Sequence, residues 1–488
     1  MRGGLLAAAA ISALLVAGAA GAETLRDALV QTYNSNPTIT AQRAQLRSLD
    51  EQASIARSGL RPQVSGTVGV NQDVLATGRA GTGRNLTGGL NVSYPLFNAG
   101  RVRNQIRAAD VRVEAGRANL RATEGDIFTE GVGAYMDVIR DRSIVTLNQN
   151  QVRVLETNLQ ASRDRFEVGD LTRTDVAQSE ARLSLARSNL ATAQGRLRAS
   201  EENYRRVIGV LPGDLQPPPA LPPLPATPEQ AVDIALANNA DLVAITAQAR
   251  ASGFDISVAR ADRLPTINAL GTGRYINALG TANEQQGVPP GIDFNAPNST
   301  TTAGVGIEAR IPLYQGGVVG ARVRQAQALQ SQFLEQGIAV ERSVVANTRA
   351  AFASYRASLD AIRSNEVAVA ANSLALEGTR AEQSVGTRNV LDVLNAEQEL
   401  LNSQVALVTA RRDNYVAGFA LLNAMGQAEA EDLNLDAGPL YDPTLNYNRT
   451  IRRTSDWGQD ATPAPTATRT VVGPPNIPQN TPVTQPRQ

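Results

Sequence analysis

The sequence predicts a mainly α-helical chain with a β membrane domain, and three observations carry that expectation. One structural unit is written twice, with its motifs in the same order in both copies. In each copy an apolar pattern of period two gives way to a much longer helical one. The helical stretches exceed the thickness of any globular core, so they must pack side by side as rods.

The chain opens with a secretory signal pattern. Arg2 gives a thin positive start, Leu5 to Val16 an apolar core, and Ala20-Gly21-Ala22 a small-residue cleavage site, so residues 1–22 are expected to be removed. The apolar core falls short of the ~20 residues that a membrane-spanning helix needs. No later apolar run is long enough to span as a helix, which leaves a periplasmic, secreted or β-barrel destination.

Composition removes most enzyme classes. The chain has no cysteine and no histidine, so disulfides, a lipoprotein anchor, the usual triads and Cys/His zinc sites are unavailable. No catalytic residue, cofactor or metal is expected. A hydrolase built on paired carboxylates survives the absence of histidine, but nothing in the sequence places two acids in a pocket. The 46 basic residues, all arginine, balance 46 acidic ones, so there is no electrostatic case for nucleic acid. Aromatic residues are only 4% of the chain, and Ala, Leu, Gln and Arg dominate, which favours long helices packed through small residues.

The repeat is read from constant offsets. Leu60-Arg61-Pro62 returns as Arg263-Leu264-Pro265, and Tyr33 to Asn36 returns loosely as Leu236 to Asn239, both 203 residues later. Tyr94-Pro95-Leu96-Phe97-Asn98-Ala99-Gly100 matches Ile311-Pro312-Leu313-Tyr314-Gln315-Gly316-Gly317 at 217 residues, as Val168-Gly169 matches Val385-Gly386. The change of 14 residues requires an insertion between Pro265 and Ile311, where 282–302 is rich in Gly, Pro, Asn and Thr and reads as a long loop. The expected organisation is a first repeat over 23–210, a proline-rich linker over 211–228, a second repeat over 229–426, a C-terminal segment over 427–460, and a disordered Pro/Thr/Gln-rich tail over 461–488.

Within each copy the elements follow in order. Short helices come first, about Leu25 to Asn34 and Pro37 to Ser58, then Pro228 to Asn238 and a helix ending near Asp262. Hairpins are expected over about 62–97 and 265–314. Val64, Gly66, Val68 and Val70 alternate with Ser65 and Thr67; Leu86, Leu90, Val92, Tyr94 and Leu96 with Thr87, Asn91 and Ser93; and Val305, Ile307, Ala309 and Ile311 with Glu308 and Arg310. The stretch from Ile267 to Tyr275 alternates poorly. Strands of about ten residues with one polar face suit a tilted membrane barrel, although a soluble hairpin with one face on a core gives the same periodicity. Long helices follow over about 100–167 and 318–383, each on the order of 100 Å at ~1.5 Å per residue and each closed by Val-Gly, where glycine suits the left-handed position past a helix end. The partners over 172–208 and 389–424 carry a seven-residue apolar repeat, Val176, Leu183, Leu190, Leu197, Tyr204 and Val393, Leu400, Leu407, Leu421, broken at Asn414. These partners are too short for the long helices, so they should stack end to end with the earlier short helices beside them. Four strands in lipid leave two unpaired edges, so several chains must close one barrel: two would give eight strands and three would give twelve with room for a lumen.

At this point the sequence resembles the TolC family of outer-membrane efflux and type I secretion channels. The resemblance rests on the duplicated layout from Glu23 to about Leu435, the two strand exits quoted above, and Val385-Gly386-Thr387-Arg388 followed by Asp392-Val393-Leu394. It implies a homotrimer in outer-membrane lipid, with a twelve-stranded barrel and an α-helical barrel reaching into the periplasm. It also implies an equatorial belt that includes 427–460, and partners in a periplasmic adaptor (membrane fusion) protein and an inner-membrane transporter, ABC or proton-driven. The helix tips would close the periplasmic mouth, with Thr174 and Asp175 at the first tip, Arg388 and Asp392 at the second, and Gly169 and Gly386 at the turns. Arg388 could reach Asp175 or Thr174 of a neighbouring helix pair. A family tyrosine aligns with Gln383 and a second acidic ring with Asn395, so both the links and the ring charge are expected to be weaker here. A competing account needs only helix capping, because Thr172 with Asp175 and Asn389 with Asp392 have N-cap spacing. The alternative function is a periplasmic coiled-coil adaptor or scaffold without a pore.

Overall fold

The protein is described by a computed structural model over residues 23–74, 83–281, 297–433, 435 and 440–470. The expected signal (1–22), most of the 282–302 loop and the tail beyond 470 lie outside the described residues.

The first copy contains α1 (Leu25–Ser35), α2 (Pro37–Ser58), β1 (Gln63–Gln72), β2 (Arg84–Phe97), α3 (Arg101–Glu167) and α4 (Arg173–Ile208). The second contains α5 (Pro228–Asn238), α6 (Ala240–Ala261), β3 (Thr266–Asn277), β4 (Ser299–Arg310), α7 (Val318–Ser384) and α8 (Val390–Ala424), and α9 (Pro443–Thr450) follows. Capping explains why the short helices start where they do. Thr24 and Asp27 form a reciprocal capping box on α1, and Asn36 caps α2 with Pro37 in its first turn. Both α3 and α7 have 67 residues, so each runs on the order of 100 Å. Neither they nor any other described helix is long and apolar enough to cross a membrane.

Beside each long helix two shorter ones stack end to end, and the duplication repeats the joint. Asn36 Nδ2 donates to the Val207 carbonyl at 2.8 Å, and Asn239 Nδ2 donates to the Ala424 carbonyl at 3.2 Å. Each asparagine thus caps one helix and holds the last turn of another, satisfying a carbonyl that the helix end leaves unpaired. The main core lies at this level, around the buried side chains of Phe128, Tyr135, Tyr204, Leu421 and Met425.

The strands form one antiparallel sheet in the order β1-β2-β3-β4. Its register sorts residues by chemistry: Val64 lies opposite Val92, Leu90 opposite Gly273, and Ala269 opposite Ile307, so the apolar sets of β1, β2 and β4 share one face with Ile267, Ala269 and Tyr275 of β3, while Leu270 and Ile276 of β3 fall on the other. Ser65 opposite Asn91 and Asn268 opposite Glu308 belong to the other face. The apolar face is bare in the single chain, with Val68 84% and Val305 95% exposed. Among the described residues no further strand covers β1 or β4.

One strand end differs from the sequence reading. β4 ends at Arg310, so Ile311 lies beyond the strand. Pro312 has no N–H to give a ladder and restricts the residue before it, whereas β2 carries Pro95 between two neighbours by shifting register between Pro95 and Phe97. The poorly alternating segment does form a strand, β3, because both of its edges are hydrogen-bonded to neighbours. Residues 461–470, expected as the start of a disordered tail, run back along the chain, where Arg205 donates to the Thr470 carbonyl.

Candidate functional site

The two helix pairs, α3 with α4 and α7 with α8, end in matching turns. Each long helix stops one residue before a valine, and the next residue is a glycine in the left-handed region, Gly169 at φ +83° and Gly386 at φ +81°. A β-carbon is unfavourable in that conformation. Crossed hydrogen bonds close both turns: Gly169 N–H to Phe166 O at 3.0 Å and Asp170 N–H to Arg165 O at 2.9 Å, matched by Gly386 to Gln383 and Thr387 to Glu382, both at 3.0 Å.

At the first tip the charged groups satisfy one another locally. The Thr172 side chain accepts from the Asp175 N–H, while Asp175 Oδ2 accepts from Thr172 N–H at 3.0 Å and Thr172 Oγ1 at 2.7 Å. These hydrogen bonds from Thr172 hold the Asp175 carboxyl below the usual carboxylate range. Arg165 closes the turn onto Asp170 at 2.6 Å. Thr174 is exposed beside the box.

The second tip is wired differently. Asn389 Oδ1 accepts from the Asp392 N–H at 2.9 Å, so the cap is present, but the Asp392 carboxylate turns toward Arg388, with Nη1 3.8 Å from Oδ2. Arg388 Nε also donates to Glu382 Oε2 at 2.8 Å, and these carboxylates push the guanidinium still further above its ordinary range. Within one chain, then, Arg388 is held by its own turn, and Thr174 and Asp175 are not among its partners.

One turn deeper lies a group that the sequence reading missed. Glu397 on α8 is only 3% exposed: its two oxygens accept from Asn158 Nδ2 of α3 at 3.0 Å each, and Arg380 Nη2 of α7 reaches it at 2.7 Å. Arg182 of α4 donates to Asn395 Oδ1 at 2.7 Å, so the side chain at the expected ring position accepts a cation from the other pair. Apolar packing seals this junction, with Leu394 among Leu155, Leu159, Leu183 and Ala186. Glu397 stands four residues after Val393, on the seam side of α8, so an acid where the repeat calls for an apolar residue was the available signal. Among the described residues no group of three or more acids converges as a metal site.

The outer membrane efflux protein family matches residues 28–210 and 231–427, two segments that between them span both copies. The outer membrane efflux protein BepC of Brucella suis biovar 1 (strain 1330) is 34% identical over 446 residues, covering 91% of this chain and 94% of that protein. The outer membrane protein TolC of Vibrio cholerae is 27% identical over 444 residues, covering 89% of this chain and 97% of its own length. In fold, the chain is similar to the crystal structure of the Campylobacter jejuni CmeC outer membrane channel, with a TM-score of 0.72, 15% identity and coverage of 88% and 89%.

Proposed function

The chain belongs to the outer membrane efflux protein family, and from that premise we propose that it is the channel subunit of a tripartite efflux or type I secretion machine, a passive water-filled duct through the outer membrane. The observation that carries the reading is the sheet. Four strands with two open edges, one bare apolar face and one polar face are stable neither in water nor in lipid as a single copy. Three copies close twelve strands around a lumen, with the apolar face on lipid and the polar face on water, whereas two copies would leave an interior filled by side chains. The alternative of a pore-free periplasmic scaffold leaves Val68, Val305 and Ile307 exposed without a partner.

In this reading the rods continue the duct into the periplasm for on the order of 100 Å, and the helix tips form its mouth. Threefold symmetry places Asp392 of each chain around one axis as a charge ring, with Arg388 beside it as a latch that exchanges its own-turn carboxylates for the neighbouring pair on assembly. A periplasmic adaptor and an energised inner-membrane transporter, ABC or proton-driven, dock below and select the cargo. The test is the mass and conductance of detergent-extracted protein. A particle of three chains that forms discrete channels in planar bilayers is expected, and a stable monomer with full β content overturns the reading.

A further inference from the structure

The C-terminal segment has a path that the duct itself does not require. After α8 the chain turns back along α2 and is fastened to it at successive levels. The Arg43 guanidinium lies over the rings of Tyr33 and Tyr441, at 4.1 and 5.1 Å. Asn446 Nδ2 donates to Asp50 at 2.8 Å, Arg57 to Tyr447 Oη at 2.8 Å, and Ser54 Oγ to the Thr450 carbonyl at 3.1 Å. The highest contact is Arg61, which donates to the carbonyls of Arg453 at 3.0 Å and Ile451 at 3.4 Å. Arg61 stands two residues before β1 begins at Gln63. The segment therefore climbs from the middle of the rods to the foot of the sheet.

There it turns round. Asp460 pairs with Arg453 at 2.7 Å and with Arg449 at 3.3 Å, closing residues 453–460 into a short loop. Beyond it the chain descends: Thr468, Arg469 and Thr470 share a groove with Ser35, Asn36 and Gly209, at the joint where α2 begins. The lengths agree, since ten extended residues reach roughly as far, on the order of 33 Å, as the 22 residues of α2 rise. The loop is thus the point of this excursion nearest the sheet, and it carries Trp457, 94% exposed and the only tryptophan in the chain.

We propose that the loop 453–460 is a lipid anchor that seats the Trp457 indole among the phospholipid headgroups of the periplasmic leaflet of the outer membrane. The inference rests on the reading that the sheet crosses that membrane. Three features support lipid as the occupant. An indole, apolar in body with one N–H donor, partitions to the membrane interface. The strand feet already expose Phe97, Leu264, Leu313 and Tyr314, an apolar and aromatic girdle of the kind that marks a barrel's interface, and Arg61, just before β1, holds the loop's first residue near that level. Arg452 is exposed in the residue before the loop and can reach a phosphate. Asp456 offsets that charge, so the attachment depends on the indole more than on net charge and should be only weakly sensitive to salt.

The sole tryptophan makes the test direct. The full-length protein is reconstituted into vesicles of phosphatidylethanolamine with a minor share of phosphatidylglycerol, with and without phospholipid brominated near the headgroup end of its chains. Fluorescence of Trp457 should shift to shorter wavelength on reconstitution, lose on the order of half its intensity to the brominated lipid, and resist aqueous iodide. A second protein, Leu90→Trp in a Trp457→Phe background, places the reporter on the apolar face of the sheet. Quenching of that reporter, with Trp457 open to iodide and untouched by brominated lipid, overturns the anchor while leaving the membrane sheet intact. Failure of both reporters to sense brominated lipid overturns the sheet reading as well. Trp457 shielded from both quenchers means that protein covers the loop, either a second copy or an adaptor, and this also overturns the lipid assignment.

Discussion

The two helix tips descend from one duplicated sequence, yet one is closed on itself and the other is tied to its neighbour. The 217-residue offset pairs Glu180 with Glu397 and Arg163 with Arg380, so the same ion pair stands in both copies. In the first copy it is a surface contact, 3.7 Å long with the acid 61% exposed; in the second it measures 2.7 Å and the acid side chain is 2% exposed. The difference comes from Asn158, which reaches Glu397 from the first pair, while its counterpart in the repeat, Ala375, has no polar group to offer Glu180. The same ion pair is a surface contact in one copy and a buried tether between the two helix pairs in the other.

The sharpest way to break this comparison is to remove each acid in turn. Glu397→Ala leaves the Asn158 amide without its acceptor and opens a small cavity, though Arg380 is half-exposed and can turn to water; a loss of about 1–3 kcal/mol is expected. Glu180→Ala should stay within about 0.5 kcal/mol, as exposed pairs do. Thermal unfolding of the two purified variants measures the contrast. Equal losses would show that burial of Glu397 contributes nothing, and the duplicated pairs would then be equivalent.

Arg388→Ser comes next. Position 388 matches Leu171 in the first copy, so only the second tip carries a cation there, held by Glu382 and Asp392. If the arginine latches the mouth on assembly, basal single-channel conductance should rise severalfold in a planar bilayer. If it serves only its own turn, conductance stays fixed and the thermal midpoint alone falls.

How much of this could be read in advance follows the range of each interaction. Helices, strands and the turns at Gly169 and Gly386 announce themselves through periodicity and through a glycine at a left-handed position, all local signals. The break in the heptad at Asn414 shows in the sequence, but its reason lies across the helix pair, where its amide donates to Ser358 Oγ at 3.0 Å and so fits a polar residue into the seam. Glu397 meets Asn158 across 239 residues, and the Arg388 to Glu382 contact depends on a turn that folds residues six apart together. No spacing rule reaches the first, and the second becomes legible only once the crossed hydrogen bonds of the turn are recognised.

The caps supply a smaller contrast. Thr172→Ala removes a reciprocal box and should cost about 1 kcal/mol, with conductance per open channel unchanged. Because Asp175 is held below its unfolded value, its contribution is complete above the ordinary carboxylate pKa and is lost as pH falls through the lower folded value. Wild-type protein should therefore lose stability on acidification below about pH 4 more steeply than Thr172→Ala does, which a series of urea titrations at descending pH would show. Parallel acid profiles would mean that the box does not set the Asp175 titration.

The smallest expected effect is at Asp392, where the two accounts of the second tip separate. Its backbone N–H is capped by Asn389, so replacing the carboxylate by an amide leaves that hydrogen bond intact, and Asp392→Asn should barely alter folding. What the substitution removes is a negative charge 3.8 Å from Arg388, a contact between partly exposed groups that contributes little to stability. In a closed trimer the same change removes three negative charges from one narrow ring, where like charges attract cations to the pore. Asn395, next along the helix, would add no charge to such a ring, because it is neutral and accepts from Arg182. Cation preference measured from reversal potentials in a salt gradient should therefore fall modestly and in one direction, with conductance and thermal midpoint near wild type. An unchanged reversal potential in folded, trimeric protein would remove Asp392 from the lumen and leave it only its place in the helix start.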